Sequence, residues 1–168
     1  MTASSQGLAE LGAALGASSS AIVRAFAERL RRDPAVPPAR DRTQSEIEDH
    51  LPTFLTDLGQ ALVVLDEDGG ETPAIFRDGS DVQRLLSERH GATRYRMGWT
   101  EAALAREYEI LRDEVEAAVE RQRTSASDRG SDDALRVLRL LLARSEELAR
   151  AGYQGAVAGE RTPSAGSR

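Results

Sequence analysis

Residues 90–119 read HGATRYRMGWTEAALAREYEILRDEVEAAV. Gly98 holds the position of a left-handed residue just past a helix end. Thr100 holds that of the cap opening the next helix, where its hydroxyl accepts from an N–H that the first turn leaves unpaired. Trp99 stands just before this cap and Leu104 four positions after it. That is the spacing of a hydrophobic staple, and it fixes the angle at which two helices meet. Beyond the cap, Leu104, Tyr108, Leu111, Val115 and Val119 recur every three or four residues and make one apolar stripe. The stretch therefore predicts two helices hinged at Gly98 and Trp99, and with them an all-α fold.

The same periodicity extends outward. Toward the N-terminus, Ser80 after Gly79 caps the helix that ends at Gly98, with Gln83 in the box position and Val82, Leu85 and Leu86 facing inward, joined by Arg89 or His90. DEDGGETP, 66–73, is a loop by composition. Thr43 opens an earlier helix, with Glu46 at capping-box spacing and Ile47, Leu51, Phe54, Leu55, Leu58, Leu62 and Leu65 on its apolar face. Pro52 kinks that helix or divides it into a short and a longer one. A first helix runs from a cap at Ser19 or Ser20 through Ile22, Val23, Phe26, Ala27 and Leu30 and stops at Pro34. DPAVPPARD then runs extended over the surface. Toward the C-terminus, SASDRGSDD forms a polar loop. A last helix from about Ser131 carries Leu135, Leu138, Leu142 and Leu148, widened by Leu141 and Ala149, a stripe suited to pairing with a second copy of the chain. The expectation is a single-domain helical bundle of about five main helices over 18–152, between a flexible leader, 1–17, and a flexible tail, 153–168.

Composition narrows the chemistry. The 168 residues contain no cysteine, which removes disulfides and thiolate chemistry, and all 22 basic residues are arginine. Without lysine there is neither a P-loop nor a Schiff base. A net charge of −6, with arginines dispersed along every helix, gives no clustered positive surface for phosphates. Nucleic acid is thus not expected as a partner, nor a membrane, since no stretch of eighteen apolar residues occurs, and a reducing cytoplasm is the simplest location.

Two histidines are the whole imidazole supply. His50 lies in EDHLP near Glu46, Glu48 and Asp49. Glu46 and His50 have i, i+4 spacing, but no companion metal motif accompanies them, so no metal or other cofactor is expected. His90 and Arg94 share a helix face at i, i+4 spacing. A hairpin folded at Gly98 brings Glu107 nearest to Arg94, and a bidentate carboxylate is what a desolvated guanidinium requires. Tyr108 has core spacing, Arg106 belongs to a solvated side, and Arg112 and Glu116 are a weak surface pair. No serine or carboxylate pair has a catalytic companion, so no catalytic residue is assigned.

Three segments taken in order, DHLPTFL at 49–55, HGATRYRMGW at 90–99 and REYEILR at 106–112, resemble the RsbRD N-terminal domain family over about residues 18–150. The matching positions are Asp49, His50, Leu51, Pro52, His90, Arg94, Gly98, Trp99, Arg106, Glu107, Tyr108, Leu111 and Arg112. Most members have tyrosine or phenylalanine where this chain has Trp99. The resemblance implies a globin-like helical bundle without haem, acting as a non-enzymatic bacterial sensory or regulatory input domain, as a homodimer, in stress-response or two-component signalling. A signal-sensing or structural network of His90, Arg94, Glu107, Tyr108 and Arg112, a joint at Gly98 and Trp99, and a secondary site at Asp49 and His50 follow from it. No kinase core, ATP lid or STAS sequence follows residue 150, so output passes to a histidine kinase, STAS or anti-sigma-type partner, or to an output module beyond this chain. Two rival readings use the same histidines: a haem- or small-molecule-binding globin-like sensor with His90 or His50 as axial ligand, and a phosphotransfer module with His90 on an exposed helix.

Overall fold

A computed structural model of the protein describes residues 5–67, 81–122 and 128–161, and every regular element among them is helical. The helices are α1 (Ser5–Ala17), α2 (Ser19–Arg32), α3 (Gln44–Glu48), α4 (Leu51–Glu67), α5 (Asp81–Arg96), α6 (Glu101–Arg121) and α7 (Asp128–Arg161), with a 3-10 turn at Pro37–Asp41 between α2 and α3. Six exceed ten residues, in keeping with a bundle of about five main helices. None is long and apolar enough to cross a membrane. α1 lies along α4, α5 lies along α7, and α6 packs between α2 and α7.

The segment expected as a flexible leader belongs to the core. Leu8, Leu11 and Leu15 of α1 are buried, and Gly12 meets Gly59 of α4 so closely that a Cβ on either would strike the other's carbonyl oxygen. Alanine and glycine, weak evidence for a helix in isolation, allow two helix backbones to touch. The tail is likewise ordered as far as Arg161. α7 begins at Asp128, three residues before Ser131, and its 34 residues extend over about 50 Å.

Between α2 and α3 the chain is not simply extended. Pro37 and Pro38 start the 3-10 turn, where their fixed φ suits the first positions, and Val36 and Ala39 are buried beneath it. Thr43 and Glu46 form the expected capping box: the Thr43 hydroxyl accepts from Glu46 N–H at 3.3 Å, and Thr43 N–H donates to Glu46 Oε2 at 2.8 Å. The following break falls at Asp49, whose φ is 42°. Pro52 sits in the first turn of α4, where its missing N–H removes no helical bond. The long helix is thus divided in two.

α5 departs furthest from expectation. Val82 and Leu85 are each 64% exposed, and the buried face is Ser87, His90, Gly91 and Arg94, spaced i, i+3, i+4, i+7. Backbone proximity explains the choice of face. A Cβ on Gly91 would collide with the Ala149 carbonyl of α7, and one on Gly152 with the Glu88 carbonyl of α5. A helix this close to α7 must present small side chains or polar ones with partners in place. For the same reason Ala149, rather than Leu148, is buried on α7. The Ser80 cap and the loop from 68 to 73 lie outside the described residues.

Close glycine contacts give predictions of opposite sign on one helix. Gly12→Ala must push α1 off α4 and should cost about 1–3 kcal/mol. Gly16→Ala, four residues on with open space around its Cβ, should stabilise by about 0.5–1 kcal/mol through helix propensity. Thermal unfolding of the two variants beside the parent chain checks both signs.

Candidate functional site

The joint at Gly98 orders the site. Gly98 has φ 88°, its N–H donates to Tyr95 C=O, and Trp99 N–H donates to Arg94 C=O, each at 2.9 Å. This pair of bonds is a Schellman motif with Gly98 as its left-handed residue. Thr100 then caps α6, its hydroxyl accepting from Ala103 N–H at 3.0 Å, and both staple residues, Trp99 and Leu104, are buried. In a Schellman motif the residue after the glycine packs on the residue three from the helix end. Here those residues are Trp99 and Arg94, and the guanidinium carbon lies 5.1 Å from the indole centroid, a cation–π contact.

Arg94 has no exposed surface and Glu107 is 3% exposed. Arg94 Nε donates to both Glu107 oxygens at 3.0 Å, and Nη2 donates to Oε1 at 2.7 Å. The other donors turn toward α3. Nη1 donates to Glu46 C=O at 2.8 Å and Nη2 to Ile47 C=O at 2.9 Å. Both carbonyls belong to the last turn of α3, which leaves them without helical partners. The expected Arg94–Glu107 pair is therefore present, and it reaches further than a hairpin contact because it also fastens α3.

His90 lies one turn before Arg94 on the same face. Its Nε2 is 3.4 Å from Glu107 Oε1 and its Nδ1 is 3.5 Å from Asp49 Oδ2. His50 Nδ1 is 3.3 Å from the same Asp49 oxygen, and the two imidazole rings meet edge to face at 5.1 Å. Asp49 and His50, a secondary pair in the sequence, are thus the outer end of one cluster. His90 is 8% exposed, so it does not hold the exposed helix position that the phosphotransfer reading expected. Glu46, the i, i+4 companion of His50, is committed elsewhere, to the Thr43 cap and to Arg42 at 3.3 Å.

On its inner side the cluster reaches α7. Tyr108 OH lies 3.0 Å from Ser145 Oγ, which lies 3.1 Å from Ser87 Oγ, all buried between α5, α6 and α7. Arg112 pairs across to Glu146 of α7 at 3.2 Å, while Glu116 is taken by Arg139 at 2.7 Å, so the expected Arg112–Glu116 pair does not form. Arg106 bridges to Asp33 at 2.8 Å and Glu109 at 2.7 Å. Tyr153 near the end of α7 donates its hydroxyl proton to Trp99 C=O at 3.0 Å and stacks edge to face on Tyr95 at 5.2 Å. These α7 partners escaped the sequence reading because residues 145–160 carry no motif. The one signal was the run of small residues Ala149, Ala151, Gly152 and Gly155.

A cavity of about 20 Å³ lies beside both imidazoles, bordered by Phe54, Glu107 and Tyr108. It has room for about one water molecule. It is far smaller than a haem would need beside His90 or His50.

Electrostatics separate Glu107 from His90. Burial opposes charge on Glu107, but Arg94 and His90 outweigh it and bring its carboxyl down to about 2. Burial likewise opposes charge on His90, and Arg94 adds to that, yet Glu107 and Asp49 prevail and hold its pKa above the ordinary 6.5. Around His90 stand Asp49 and His50 at the α3–α4 break, Glu107 and Tyr108 on α6, and Arg94 on α5, of which Asp49, Glu107 and Arg94 set this balance. Burial pushes the Tyr108 hydroxyl up.

The signs then follow by linkage. The depressed Glu107 contributes stability that is complete above its ordinary 4.5 and is lost as pH falls toward 2. The raised His90 contributes stability that is complete below 6.5 and is lost as pH rises through its folded value. In chelator-treated buffer the melting temperature should peak between pH ~5 and ~6, and His90→Gln should remove the decline on the alkaline side. At fixed pH, Arg94→Ala should cost about 3–5 kcal/mol by stranding Glu107, whereas Arg94→Met with Glu107→Leu should recover much of the loss. Calorimetric unfolding of the single and double variants checks this. Comparison with protein-family models, curated proteins and solved structures finds no match to the chain, so its functional reading rests on the site.

Proposed function

We propose that the chain is a bacterial sensory or regulatory input domain without catalytic activity, of the kind represented by the RsbRD N-terminal domain family, working in the cytoplasm through protein partners. The observation that carries this reading is the course of the buried polar cluster. Its outer end, Asp49 and His50, is accessible to solvent, its middle is the Arg94–Glu107 pair, and its inner end is hydrogen-bonded to α7 through Tyr108 and Ser145. A change of charge or ligation at the outer end alters the partners of His90 and Glu107, and thereby the packing of α5 and α6 on α7. The joint at Trp99 couples the same change to Tyr153, near the C-terminal end of that helix. Output through α7 suits a kinase, a STAS protein or an anti-sigma-type regulator.

The dimer needs a different surface from the one the sequence suggested. Leu135, Leu138 and Leu142 are buried within the chain's own core. Val82, Leu85 and Leu140 are the large apolar side chains left exposed on α5 and α7, and a second copy is the occupant this reading gives them.

Hydrogen exchange tests the coupling. Asp49→Asn, which leaves the apolar core intact, should raise exchange in residues 150–161 and around the 98–104 joint while leaving α1 unchanged. Exchange altered equally everywhere, or unaltered in α7, would count against transmission through this helix. Sedimentation at high micromolar concentration tests the dimer, which Leu85→Glu should dissociate; a parent chain that stays monomeric ends that part of the reading.

A further inference from the structure

The two histidines stand forty positions apart in sequence, yet the break at Asp49 and the packing of α5 bring them to one carboxylate. Asp49 Oδ2 is 3.3 Å from His50 Nδ1 and 3.5 Å from His90 Nδ1, and one donor atom from each of the three residues lies within 4.8 Å of the others. In a tetrahedral zinc site with bonds of about 2.0–2.2 Å, neighbouring donors sit about 3.3–3.5 Å apart. Two edges of such a tetrahedron are thus already at length. We propose that Asp49, His50 and His90 bind a divalent transition-metal ion, zinc being the best match, through two imidazole nitrogens and one carboxylate oxygen, with the fourth position left to water.

A second observation points to a ligand independently of the spacing. His90 is more than nine-tenths buried, and its Nδ1 has no hydrogen-bond partner among the described residues. That atom faces a carboxylate at 3.5 Å, too long for a good hydrogen bond, so an imidazolium is held there only loosely and a neutral ring with its Nδ1 lone pair outward turns it toward the carboxylate oxygen. A cation between them satisfies both. The opposite nitrogen, Nε2, lies 3.4 Å from Glu107 Oε1, which Arg94 holds in place. Metal-bound histidines have this arrangement: one nitrogen on the metal, and the other N–H on a carboxylate that fixes the tautomer. The donor set of two imidazoles and one carboxylate suits zinc and its neighbours better than calcium or magnesium, which take oxygen.

The remaining requirement is also met. The side chains of Asp49 and His50 are 41% and 20% exposed, which gives an ion an entry path. Glu46 takes no part, since its carboxylate serves the Thr43 cap. The i, i+4 pairing of Glu46 with His50 therefore has no part in the site. The site stands on its own donor geometry and does not depend on what the chain signals to.

The test uses the full chain, stripped with a chelator and titrated near neutral pH with Zn²⁺ against a chromophoric competitor, then with Co²⁺ followed by visible absorption. The expected result is one equivalent bound in the micromolar range or tighter, with the intense absorption of four-coordinate cobalt. Asp49→Asn and His50→Ala should each weaken binding by about tenfold or more, and Glu46→Gln should leave it unchanged. These two ligand variants alter side chains that are partly exposed, so the outcome does not depend on whether His90 variants fold. No saturable binding below ~1 mM, or parental affinity in both Asp49→Asn and His50→Ala, overturns the site.

Discussion

A guanidinium taken wholly out of water must have its charge balanced and its donors occupied, and Arg94 does this with groups drawn from two other parts of the chain. Glu107 of α6 supplies the countercharge, and the Glu46 and Ile47 carbonyls of α3 supply two more acceptors. α3 has five residues, too few to be stable alone, and its last carbonyls would otherwise be orphans. A cation at that terminus also opposes the helix dipole. One side chain therefore holds the hinge between α5 and α6 closed, finishes α3, and sets where the chain breaks at Asp49.

Contact between backbones makes this arrangement compulsory rather than optional. Gly12 against Gly59, and Gly91 and Gly152 against α7 and α5, bring two helix pairs closer than ordinary side chains allow. Once Gly91 touches Ala149, the face of α5 is settled, and Ser87, His90 and Arg94 must follow it inward. The polar groups then need partners on the neighbouring helices. Glu107, Tyr108 and Ser145 occupy the positions that provide them.

Much of this was legible in the residues, for a reason that differs from element to element. The joint carried three local signals at fixed offsets, a left-handed glycine, a cap and a staple, and local signals survive folding. The Arg94–Glu107 pair followed from the hairpin they imply. α1 was missed because its alanines and glycines have little periodicity, while their function is to let another backbone approach. α5 was misread because Val82 and Leu85 make the more apolar face, and nothing local says that a polar face wins. The stripe of α7 was seen correctly as apolar but assigned to a second copy, since periodicity does not tell which partner covers it. Asp49 and His50 were found without His90 because no spacing rule connects residues joined only by tertiary packing.

The misreading of α5 says something about why the charges are there. Replacing a buried ion pair by apolar residues of similar volume often leaves a protein as stable or more so, so stability alone is a weak reason for Arg94 and Glu107. The helix has two faces that could turn inward, and by hydrophobicity the Val82, Leu85 and Leu86 face is the stronger candidate. An apolar pair in place of Arg94 and Glu107 would be indifferent to a rotation that brought that face in. The ion pair is not, because a turned helix would leave Glu107 buried without its partner, and the desolvation cost of a lone carboxylate exceeds what two exposed aliphatic side chains gain by burial. The charges therefore reinforce the rotation of α5 that the Gly91–Ala149 contact sets. That rotation keeps His90 beside Asp49 and His50 and leaves Val82 and Leu85 exposed.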